Sequence, residues 1–100
     1  MVGNEINPVQ IFNEDLASVH FERISPMFSV LQKTSLIQKI FNAIIYGQSN
    51  DCKSNVIFKT DDGYKQINSV ILSKNSDWLM LKGGKYIPIQ SILNIEILRS

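Results

Sequence analysis

The spacing of apolar side chains changes near residue 50 of this 100-residue chain. Before that point they recur every three or four positions, and after it they alternate or gather in short runs between turn residues. Asn7, Pro8 and Gln10 have the form of an N-cap, a first-turn proline and a capping-box partner, so the pattern predicts a helix over residues 8–23. Val9, Phe12, Leu16 and Val19 would share its buried face, with Glu14, Asp15 and Glu22 toward solvent. Ser25-Pro26 stops this helix, because proline has no amide hydrogen to donate, and Met27, Phe28, Val30 and Leu31 follow as a short apolar piece. A second helix is predicted over residues 36–46, capped by Ser35 with Gln38 and closed by a left-handed Gly47. Leu36, Ile37, Ile40, Phe41, Ile44 and Ile45 make its apolar face unusually broad, so it must lie against a sheet or a second subunit.

Residues 48–54 are polar and predict a linker; residues 1–6 predict a disordered tail. Five strands are expected beyond the linker, over 56–60, 64–73, 78–82, 85–89 and 93–98. Asp61-Asp62-Gly63 and Gly83-Gly84 supply hairpin turns, since glycine accepts the positive φ that such turns demand. Lys74-Asn75-Ser76-Asp77 is a further turn, and Gln90-Ser91-Ile92 fits one turn of tight helix. Alternation slips between Ile67 and Val70-Ile71-Leu72, which predicts a bulge or sharp bend. Pro88 marks its strand as an edge or an end. By parity Val56, Phe58, Ile67, Leu79, Leu81, Ile87, Ile89, Ile95 and Ile97 point inward. Trp78, Met80, Tyr86 and Leu98 make the opposite face apolar too, so part of it needs a cover.

The expected architecture is therefore α+β in a single domain: N-terminal helices (7–47) packed on a five-stranded, strongly bent antiparallel small barrel (55–98). At 44% hydrophobic and 19% charged the composition is that of a globular chain. The longest apolar runs are four residues, far below the roughly 18 of a membrane span, so no membrane role is expected. The first 22 residues hold no Lys or Arg, and Glu5 stands where a targeting peptide would be basic. With Cys52 as the single cysteine, this predicts a cytoplasmic protein.

Strand spacing and the stretch Leu79-Met80-Leu81-Lys82-Gly83-Gly84-Lys85-Tyr86-Ile87-Pro88-Ile89 resemble a Src-homology-3-like or Sm-like small barrel. Phe58-Lys59-Thr60-Asp61-Asp62-Gly63-Tyr64 and Ile87-Pro88-Ile89-Gln90-Ser91-Ile92 also resemble the bacterial YolD-like family. That resemblance implies a regulatory role without catalysis and carries no active-site residue with it.

Catalytic chemistry has little to work with. His20 is the only histidine and has no nucleophile motif near it. Asp61, Asp62 and Asp77 are turn residues without the further acidic positions a Ca²⁺ loop requires. Gly83-Gly84-Lys85 fails as a phosphate loop, because Leu79 replaces the first glycine and Tyr86 the Ser or Thr. The expectation is a protein that is not an enzyme and has no cofactor, metal site or small-molecule substrate.

Surplus apolar surface points instead to a non-enzymatic interaction or regulatory module, with a homodimer favoured over another protein partner. Trp78, Met80, Tyr86 and Phe28 are its candidate interface residues. The alternative is weak, Sm-like nucleic-acid binding by Lys59, Lys65, Lys82 and Lys85 at the hairpin tips, with Tyr64 to stack on a base. A net charge of +1 gives that alternative little long-range support.

Overall fold

The computed structural model describes residues 7–24 and 30–98. Its elements are β1 (Val9–Gln10), a 3-10 turn (Asn13–Ser18), α1 (Val30–Asn50), β2 (Lys53–Thr60), β3 (Gly63–Lys74), β4 (Trp78–Leu81), β5 (Lys85–Pro88), a second 3-10 turn (Ile89–Ser91) and β6 (Ile92–Ile97). The fold is α+β, one long helix and a six-stranded sheet in the order β5-β4-β3-β2-β6. Neighbours are antiparallel except β1, which runs parallel beside β3. No pairing joins β5 to β6 among the described residues, so the strands expected to make a five-stranded, strongly bent small barrel belong to a six-stranded sheet that is not closed. The predicted tail over residues 1–6, the Ser25-Pro26 stop, Met27 and Phe28 lie outside the described residues.

The C-terminal strands form where their local chemistry says they should. Thr60 Oγ1 donates to the Gly63 carbonyl (2.8 Å) and accepts the Asp62 amide (3.1 Å), locking the first hairpin around a Gly63 φ of 97°. Asn75 Oδ1 accepts the amides of Asp77 and Trp78 and so shapes the β3–β4 turn. Gly83 and Gly84 both have positive φ in the β4–β5 turn, which also takes up Lys82. Register is unbroken from Gly63 to Val70, where a slip after Ile67 was expected; the bulge falls later, between Ile71 and Ser73, leaving Leu72 as the extra residue that turns the end of β3 toward β4. A second shift, between Ile57 and Phe58 against β6, bends the other side of the sheet.

The inward set follows parity. Val56, Phe58, Ile67, Leu79, Leu81, Ile87 and Ile95 are buried in one cluster, with Ile89 and Ile97 partly buried against it. Leu36, Ile40 and Ala43 of α1 join the same cluster, and Gly47 continues their spacing as a fourth buried position. There the helix meets β3 so closely that a Cβ on Gly47 would collide with the Ile71 carbonyl oxygen and stand 3.2 Å from Val70 Cγ1.

Three N-terminal expectations are overturned. Residues 8–23 are not a helix: Val9 and Phe12 are exposed, and only Leu16 of the proposed face is fully buried. Their backbone instead supplies the sheet: Ile11 donates its amide to Gln66 O, Glu22 donates to Lys59 O, and His20 O accepts the amide of Asp61, while Ile24 just beyond donates to Gln90 O in the second 3-10 turn. Ser35 and Gln38 lie inside α1 rather than at its start. The helix also runs through Gly47 into the supposed linker, ending where Asp51 takes the left-handed conformation (φ 54°). Asp51 donates its amide to Gly47 O and Cys52 to Tyr46 O, which satisfies two terminal carbonyls.

Candidate interaction surface

Cross-strand register places Trp78 opposite Pro88 and Met80 opposite Tyr86, so these four side chains share the outer face of β4 and β5. Leu79 and Ile87, one position along, are fully buried and fix that orientation. Trp78 is 43% and Tyr86 50% exposed, Met80 is half-buried, and the two rings meet edge to face at 6.4 Å. Such a pair is worth about 0.5–1.5 kcal/mol beyond its area and holds both rings in one orientation before anything binds. Three of the four expected interface residues are thus brought together; Phe28 lies outside the described residues.

The lysine set is scattered. Lys59 pairs with Tyr64, while Lys65 pairs with Phe58, so the two lysines of the first hairpin occupy opposite faces. Lys65 is also ion-paired with Asp62 at 3.3 Å. Lys82 donates to both carboxylate oxygens of Asp51 at 2.9 Å, and Lys85 follows it after the turn. Lys82 also donates its amide to Val70 O. The second hairpin tip therefore lies beside Val70, five residues along β3 from Lys65, or about 17 Å at 3.3 Å per residue. The register that collects the aromatic face disperses the cations.

Two features escaped the sequence reading. Ile37, Phe41 and Ile45 form an exposed row along α1, although the spacing alone made them part of the buried face. An open groove of about 360 Å³ lies between the N-terminal segment and the β4–β5 turn, lined in part by Phe12, Asn13, Lys53, Asn68 and Lys82. It exists because residues 8–23 are extended stretches on either side of the Asn13–Ser18 3-10 turn rather than one α-helix, which the capping pattern at Asn7 concealed. Among the described residues no three His, Cys, Asp or Glu side chains come together as a metal site. No described helix is long and apolar enough to cross a membrane. No family model, curated protein or solved structure matches the chain.

Proposed function

We propose that this protein is a non-enzymatic interaction module, cytoplasmic in location, that self-associates as a homodimer through the outer face of β4 and β5. The bent, open sheet is the scaffold that presents this face. The observation that supports the reading is the exposed Trp78–Tyr86 pair, rigidly mounted on an edge of the sheet. Aromatic and Met side chains dominate interface energetics because they combine large area with little rotamer entropy. A net charge of +1 sets no general electrostatic barrier between copies.

The magnitude favours a weak dimer. At these exposures Trp78 and Tyr86 each offer on the order of 100 Å², so two copies bury roughly 400 Å² through them, about 10 kcal/mol gross at 25 cal/mol per Å². Association costs about 4–15 kcal/mol, so Met80, Pro88 and neighbouring surface must contribute if the dimer is to form at micromolar concentration. Sedimentation equilibrium across concentration tests this: the mass should rise toward two chains, and Trp78→Ala with Tyr86→Ala should hold it at one, at a temperature where circular dichroism shows the variant still folded, since losing the half-buried ring pair itself lowers the Tm by several degrees. A mass of one chain at every concentration sinks the proposal.

A further inference from the structure

The outer face of α1 carries a second apolar surface with a different electrical character. Ile37, Phe41 and Ile45 are 43%, 49% and 59% exposed, and their four-residue spacing lines them up as one ridge of the helix. Lys33 stands one turn earlier on the same ridge, and Lys74 Nζ reaches from the end of β3 to 5.6 Å from the Phe41 ring centroid. The helix has no acidic residue anywhere along its length. Its other lysine, Lys39, donates to Asn94 Oδ1 at 2.8 Å on the side toward β6.

We infer that this ridge is the docking site for an acidic amphipathic helix of a partner protein, with apolar anchors set against Ile37, Phe41 and Ile45 and carboxylates facing Lys33 and Lys74. A ridge of i, i+4 residues accepts the matching ridge of a second helix, the commonest packing between helices. Charge decides which helix. Lys74 Nζ lies 5.6 Å from the Phe41 ring, so a second copy docked about a two-fold axis at Phe41 would bring its Lys74 ammonium to about 11 Å from this one, where at an effective dielectric near 20 their repulsion is two to three times the thermal energy. A partner with Glu or Asp flanking its apolar row turns the same geometry attractive. An anionic membrane is a poorer fit, since interfacial helices carry Lys and Arg across a whole polar face and α1 has two lysines.

This inference extends the interaction reading to another face, and its test is independent of Trp78 and Tyr86. The full chain is titrated, by fluorescence anisotropy, into a labelled synthetic helix of about five turns with Leu on one face and Glu flanking it, and into the same peptide with Lys for Glu. The acidic peptide should bind saturably and the basic one much more weakly. Phe41→Asp should weaken acidic-peptide binding by about 30-fold, the scale of a hot-spot anchor. Lys74→Glu should reverse the preference between the peptides. Both variants should melt within a few degrees of the parent, and Trp78→Ala should bind the acidic peptide normally. Equal binding of the two peptides, or indifference to Phe41→Asp, overturns the inference. So does a dimer that Phe41→Asp dissociates and Trp78→Ala spares, or Phe41-dependent binding to phosphatidylserine vesicles with none to the peptide.

Discussion

Gly47→Ala isolates the contact on which the helix–sheet packing depends. In an exposed helix this change is stabilising, because alanine is preferred over glycine by about 0.8–1.0 kcal/mol. Here the new methyl group would be driven into the Ile71 carbonyl oxygen and against Val70 Cγ1. Ile71 is fully buried and Val70 nearly so, and the Val70 carbonyl holds the Lys82 amide, so β3 has little freedom to retreat. Relief requires α1 to lift away from β3, which loosens Ala43 and Ile40 in the same core. Overpacking of this kind costs about 1–3 kcal/mol, and collision with a backbone oxygen belongs at the upper end. After the propensity gain is subtracted, a net loss of about 2 kcal/mol remains. For a domain of this size that corresponds to a drop of roughly 8–16 °C in Tm. Urea and thermal unfolding followed by circular dichroism give both quantities, with the exposed Ser49→Ala as the control for helix propensity. If Gly47→Ala is as stable as the parent or more so, the close approach of α1 to β3 is wrong.

Other changes probe the faces and the turns. Ile40→Ala should cost about 2–5 kcal/mol, whereas Ile37→Ser should change stability by no more than about 0.5 kcal/mol; equal losses by urea titration would mean the helix is rotated. Ser54 is fully buried and its hydroxyl has no partner among the described residues, so Ser54→Ala should be neutral or stabilising by up to about 1–3 kcal/mol, and a marked fall in Tm would reveal a bond the hydroxyl makes. Asp51→Val should destabilise by about 1–2 kcal/mol because it forces a β-branched residue to positive φ, while Asp51→Asn, which loses only the exposed pair with Lys82, should cost under about 1 kcal/mol in the same assay.

The strands were legible because their signals are local. Asp61-Asp62-Gly63 and Gly83-Gly84 determine their turns through φ alone, and alternation then settles which of Trp78 or Leu79 faces inward. Aromatic clustering on β4 and β5 came with that register. What α1 does was only half legible. Six apolar residues marked a broad face, yet nothing in their spacing says that Leu36 and Ile40 go to the core while Ile37 and Phe41 stay out. That division depends on the direction from which β3 and β6 approach the helix. Gly47 shows the same limit: a glycine near a helix end is as consistent with a left-handed cap as with close packing, and only the position of Ile71 distinguishes them.

The failure over residues 8–23 has a different cause, which also explains what that segment is for. β3 is twelve residues long, and no single neighbour spans it: β2 pairs with its first eight residues and β4 with its last four, leaving the edge away from β2 uncovered at Lys65 and Gln66. β2 is likewise left without β6 beyond Phe58. These edges hold backbone groups that lose water as the core closes, at a cost of about 1–3 kcal/mol for each one left unpaired. Residues 8–23 run from one gap to the other, pairing Val9 with Lys65 and Phe21 with Thr60, while Ile11, Leu16 and Phe21 close the core between them. A helix would satisfy the segment's own amides and leave the sheet's unsatisfied. The extended conformation serves both, so a non-local demand for hydrogen bonds overrides the capping pattern at Asn7 and Pro8, and the sheet cannot be complete without its N-terminal strap.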